Sequence, residues 1–145
     1  MNVTFFGNHD APESVRERLK TLLRTLIENE NADIFYVGTH GNFDSFAAQT
    51  LKELKKEYPH IRYYIVLAYM PKKSEYDTID YSLSILPDEV AVSIPKFAIS
   101  KRNIWMLKNS NTVITYVRFR YGGAAQFKRK AISKKKRVIE LYENT

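Results

Sequence analysis

The sequence predicts an α/β protein: a doubly wound, mostly parallel five-stranded sheet with helices on both faces. Three observations carry that expectation. Short apolar runs without polar alternation read as strands buried on both sides, the habit of parallel sheets. Stripes of apolar residues at helical spacing separate them, in a β-α-β-α-β order. The five glycines, Gly7, Gly38, Gly41, Gly122 and Gly123, fall just after apolar runs, where a strand must turn into its helix.

Taken in order, Asn2 to Phe6 reads as the first buried strand. Asp10-Ala11-Pro12-Glu13 then offers an N-cap, a proline in the first turn and a glutamate at the third helical position, so a helix is expected to start there. Val15, Leu19, Leu22, Leu23, Leu26 and Ile27 continue it as one stripe. Ile34 to Val37 is the second strand. Ala47, Leu51, Leu54 and Tyr58 make the next stripe, which Pro59 ends, and Tyr63 to Ala68 is the third strand. Periodicity then fails from Met70 to Pro95, where Pro71, Pro87 and Pro95 interrupt a polar segment. So long a connection is expected to act as a lid or interface arm, partly packed through residues such as Ile79 and Val90. Lys96 to Asn109 is helix-like, Thr112 to Val117 is the fourth strand, Ala124 to Ser133 a helix, and Arg137 to Leu141 the fifth strand.

The whole of residues 1–145 fits a single domain with this insertion at about 70–95. Composition, 44% hydrophobic and 27% charged, excludes a disordered chain, and no apolar run approaches the roughly 18 residues of a membrane span. No membrane partner is expected. The start MNVTFFG carries no secretory pattern, and with no cysteine there is neither a disulfide framework nor thiolate chemistry, so a cytoplasmic location is expected. The net charge of +7 suggests an anionic partner. Seven of the ten residues from Lys128 to Arg137 are basic, a pattern that a solvated helix face explains as well as nucleic acid does.

In a doubly wound sheet, ligands bind beyond the carboxyl ends of the strands, beside the switch point. Three turns converge there: Gly7-Asn8-His9-Asp10, Gly38-Thr39-His40-Gly41-Asn42-Phe43-Asp44, and Tyr121-Gly122-Gly123-Ala124-Ala125. Each precedes a helix, whose N-terminal N–H groups and partial positive charge suit a phosphate. The last turn is the best cradle because its side chains are small, although it is neither a Walker loop nor a full dinucleotide fingerprint. Lys101, Arg102 and Asn103 add donors, Arg102 as a bidentate phosphate grip. Tyr69, Tyr76, Tyr81 and Tyr121 sit near expected loops, where an aromatic ring could stack on a base. Asp44 is suited to accept ribose hydroxyls, or to cap the second helix. His9 and His40 lack metal-ligand spacing, so no metal is expected; nor is any cofactor or catalytic residue.

The blocks Val3-Thr4-Phe5-Phe6-Gly7, Tyr36 to Asp44, Ser100-Lys101-Arg102-Asn103-Ile104-Trp105-Met106 and Tyr121 to Ala125 together resemble the SLOG superfamily, named for the DNA-processing protein A (Smf) and Lonely Guy families. The resemblance is in particular to small single-domain bacterial and phage members. It implies a Rossmann-like fold that binds nucleotides or nucleotide-derived molecules, as a homodimer. Lonely Guy phosphoribohydrolases carry Pro-Gly-Gly-x-Gly-Thr-x-x-Glu; matching its paired glycines to Gly122 and Gly123 puts Tyr121 at the proline and Arg129 at the catalytic glutamate. Arg102 matches that family's arginine, while Gly7-Asn8-His9 stands where small relatives read Gly-His-Arg.

The expected function is a sensor or sequestering protein for a nucleotide-derived signal of ADP-ribose or cyclic-nucleotide type. The resemblance extends this to phage–host defence, placing a phage-encoded protein in the host cytoplasm. One alternative is a nucleotide N-glycosidase in which Asp44, Glu75 or Asp77 replaces the missing glutamate. Single-strand DNA binding through the basic run is the second.

Overall fold

The computed structural model describes residues 1–70 and 83–143. Pro71, Glu75, Tyr76, Asp77, Ile79 and Tyr81 lie outside them. The elements are β1 (Asn2–Gly7), α1 (Val15–Glu30), β2 (Ile34–Val37), α2 (Gly41–Glu57), β3 (Arg62–Val66), β4 (Ser84–Ile85), α3 (Asp88–Ala91), α4 (Pro95–Lys108), β5 (Thr112–Tyr116), α5 (Gly123–Ser133) and β6 (Arg137–Glu140).

The sheet is α/β, Rossmann-like and parallel at every described pairing, in the order β4-β3-β2-β1-β5-β6. The order reverses between β1 and β5, which is the switch point. Five strands are those expected. The sixth, β4, comes from the segment expected to be a connection: Ser84 and Ile85 pair with Ile65 and Val66. Two residues are too few to show a period, so only the partner strand reveals them.

Burial explains the strand composition. Val3 and Phe5 face a core built with Leu19, Leu23, Leu26, Leu51 and Leu54, so α1 and α2 cover that face. Phe6 and Val113 face the other side with Met106, Leu107, Phe127 and Ala131, supplied by α4 and α5. Every residue of β5 is buried, and Thr4, polar but fully buried, donates its hydroxyl to Tyr36 O at 2.9 Å.

Two helix starts differ from expectation. α1 begins at Val15, not near Asp10. Ala11 is buried, and its N–H closes a turn onto Asn8 O at 3.2 Å; sinking Ala11 into the core uses up the residues that would have formed the first helical turn. Asp10 is therefore an exposed turn residue and not a cap. α2 begins at Gly41, inside the expected turn, with φ +87°. An added Cβ there would sit 2.4 Å from His9 Cα, so glycine lets the helix start against the β1 turn.

Candidate functional site

A cleft of about 470 Å³ opens at the carboxyl ends of β1 and β5, the switch point of the sheet. Its floor is Phe5, Phe6, Gly7, Asn8 and His9; His40 and Asp44 come from the β2–α2 corner. Ile99, Arg102, Asn103 and Met106 come from α4, and Phe119, Tyr121, Gly122, Gly123 and Ala124 from the β5–α5 turn. The three glycine turns thus meet at one place, as the strand order requires.

Arg102 is the most constrained side chain of the site. It is 1% exposed. Its Nε donates to Asn103 Oδ1 at 2.8 Å, Nη1 to Val66 O at 3.0 Å and to Thr39 Oγ1 at 3.1 Å, and Nη2 to His40 Nδ1 at 3.2 Å. A guanidinium can only donate, so His40 Nδ1 accepts and the imidazole is the neutral Nε2–H tautomer. Burial and the Arg102 charge both hold His40 below its usual pKa. Burial likewise depresses Arg102, against Asp44 and Tyr69, which raise it. No carboxylate among the described residues lies within 4.0 Å of Arg102. Its direct hydrogen-bond acceptors are therefore all neutral, while the Asp44 carboxylate acts on its charge without a direct hydrogen bond.

Asp44 is half-buried beside it. Its Oδ2 accepts the His40 N–H at 3.0 Å, reaching back over the first turn of α2 as a cap. Burial pushes its carboxyl up to about 6, although that hydrogen bond and Arg102 pull the other way. Gly38 makes room for this pair: an added Cβ would lie 2.7 Å from Asp44 Oδ2 and 3.4 Å from Arg102 Cζ.

At the opposite wall, Gly122 has φ +95°, while Gly123 does not occupy the left-handed region. An added Cβ at either would meet nothing within 4 Å. The first N–H groups of α5 have no intrahelical acceptors, and they open onto this space. The turn before them is pinned. Val117 N–H donates to Glu140 Oε2 at 3.0 Å, Arg118 N–H to Asn8 Oδ1 at 2.7 Å, and Arg129 Nη1 to Arg120 O at 2.8 Å. Burial pushes Glu140 up, yet hydrogen bonds from Lys128, Tyr142, Val117 and Thr115 outweigh it and leave the carboxyl lowered.

Of the residues expected at the site, Gly7, Asn8, His9, His40, Asp44, Arg102, Asn103, Tyr121, Gly122, Gly123 and Ala124 line the cleft. The others stand behind or beside it. Thr39 braces Arg102. Asn42 donates its N–H to His9 O at 2.8 Å, and Gly41 packs on His9. Phe43 is a core ring against Phe5 and Tyr116, which explains Gly7, whose added Cβ would sit 2.3 Å from it. Ala125 is buried in α5; Lys101 is exposed, and Tyr69 meets His40 edge-on at 6.4 Å. Sequence reasoning missed Phe5, Phe6, Ile99, Met106 and Phe119. A signal existed for two of them: Ile99, Arg102, Asn103 and Met106 follow the i, i+3, i+4, i+7 spacing of one helix face.

Known proteins resemble the chain at two levels. The family model YpsA, described as the YspA SLOG family, matches residues 1–143. Among solved structures, the chain is similar to DNA processing protein A (DprA) from Streptococcus pneumoniae. The TM-score is 0.71 at 16% identity, over 96% of this chain and 49% of that one. The chain therefore spans about half the length of that protein, and the likeness is one of fold. No curated protein matches it.

Proposed function

The chain belongs to the YspA SLOG family, and from that premise we propose that its cleft binds a nucleotide or nucleotide-derived molecule. The proposed ligand is an ADP-ribose-type or cyclic-nucleotide signal, which the protein senses or sequesters, in phage–host defence among other settings. The observation that carries the reading is Gly123. Neither backbone conformation nor packing demands a glycine there, whereas an anion approaching the N–H groups of α5 does. Arg102 supports it from the facing wall, as a buried guanidinium whose hydrogen-bond acceptors are all neutral.

The test is a thermal-shift panel of nucleotides and ADP-ribose derivatives on the wild type and Gly123→Val. A ligand at about 100 times its Kd should add roughly 2.7 kcal/mol to the wild type and much less to the variant. No shift with any compound would sink the reading. The binding unit is further proposed to be a homodimer, since Val92, Ile94, Phe97 and Ile104, at and beside α4, are 85%, 65%, 47% and 41% exposed. Light scattering checks this, and a monomer at every concentration counts against it.

Asp44 favours a second reading. A cleft carboxylate titrating near 6 is suited to stabilise an oxocarbenium-like charge while water attacks C1′ and the base departs with a proton. Arg129, at the position of the Lonely Guy glutamate, donates to Arg120 O and does not line the cleft. Incubation with nucleoside monophosphates discriminates: free base supports cleavage, and intact recovered ligand supports binding alone.

A further inference from the structure

The β5–α5 turn carries an aromatic stack at the rim of the cleft. The Phe119 and Tyr121 rings lie 5.3 Å apart at 23°, and Arg118 Cζ is 5.3 Å from the Phe119 ring. Phe119 is half-buried, but Tyr121 is 72% exposed although one face rests on Phe119. Both rings line the cleft. An aromatic ring left this open in a mobile loop would be unremarkable. This loop is tied at Val117 to β6, at Arg118 to the turn after β1 and at Arg120 to α5, so the backbone that carries the ring is anchored although the ring adds nothing to the core.

We infer that Tyr121, backed by Phe119, is the platform on which the ligand's planar base stacks, and that the site thereby selects base-bearing phosphates over bare sugar phosphates. The inference rests on the nucleotide reading and adds its specificity element. Stacking is sequence-tolerant because every base has a π-face, so the platform recognises a base without distinguishing one from another. Arg118 adds cationic character to the stack. Gly122 and Gly123 follow Tyr121 directly, so a base on the ring and a phosphate at the α5 N–H groups are within one nucleotide's reach.

Calorimetry with adenosine, guanosine and uridine 5′-monophosphates, ribose 5-phosphate and inorganic phosphate tests the inference. The wild type should bind the three nucleotides about five- to a hundredfold more tightly than ribose 5-phosphate. Tyr121→Ala should bring that ratio to within about twofold, Tyr121→Phe should keep it, and neither should alter ribose 5-phosphate affinity. Since Tyr121 is exposed, both variants should melt with the wild type. Equal affinity for nucleotide and sugar phosphate on the wild type, or an undiminished ratio in Tyr121→Ala, overturns the platform and leaves the phosphate site standing. Absence of binding by all five probes overturns the platform, and the nucleotide reading falls with it only where the panel of nucleotides and ADP-ribose derivatives also gives no thermal shift.

Discussion

At the residue scale, two of the glycines separate the demands that folding and binding place on one amino acid. Gly41→Ala combines a positive φ with a Cβ 2.4 Å from His9 Cα and should destabilise by more than about 2 kcal/mol. Gly123→Ala has neither problem; urea unfolding should find it within about 0.5 kcal/mol of wild type, with nucleotide affinity reduced. Asp44 makes a prediction of pH dependence. Its folded pKa of about 6 lies above the ordinary aspartate value of 3.8, so the native state holds its proton more tightly. The associated stability is fully present below pH 4 and is lost as pH rises through 6, by at most about 3 kcal/mol. Because His40 and Arg102 share the corner, the quantity to measure is the difference between wild type and Asp44→Asn. Urea midpoints should show the wild type losing stability relative to the variant between pH 4 and 7.

At the element scale, α4 and the β5–α5 turn supply most of what makes the cleft more than a sheet edge. α4 directs Ile99, Arg102, Asn103 and Met106 into it from a single helical face. The residues are legible in the sequence by spacing. What spacing does not show is that Arg102 is spent on protein acceptors: Val66 O and Thr39 Oγ1 come from β3 and the β2–α2 corner, 36 and 63 residues away. Expected as a bidentate phosphate grip, it is also the strut that holds His40 in one tautomer. Arg102→Met should therefore lower stability as well as affinity, since each buried acceptor it orphans costs about 1–3 kcal/mol. Arg129 has the converse character. It is exposed, and its bond to Arg120 O orders the turn more than it stabilises the fold. Arg129→Ala should leave the melting temperature nearly unchanged while hydrogen exchange of the amides at 117–123 accelerates.

At the scale of the whole molecule, the lysines that follow α5 are separated from the site. α5 presents its N-terminus to the cleft, and Lys134 and Lys135 follow its other end, exposed. An 11-residue helix, about 16 Å long, lies between. Neutralising Lys134, Lys135 and Lys136 should leave nucleotide affinity unchanged at physiological salt, because that distance exceeds a Debye length of about 8 Å; a filter-binding titration of single-stranded DNA against salt would report whether the run has a separate use. Among the described residues no helix is long and apolar enough to cross a membrane.

The sequence by itself determined the layered α/β plan, because a period of 2 lost to double burial and a period of 3.6 kept on the helices are written in consecutive residues. It also determined which turns carry glycine, and hence where the site lies once strands are parallel. Tertiary structure alone decided three things: that Ser84–Ile85 is a strand, since two residues acquire that identity only from β3; that Phe43 is core and Gly7 its clearance; and that Gly122 and Gly123, unlike Gly41, face open space. These are facts about what approaches a residue from far along the chain, and local sequence does not encode that approach.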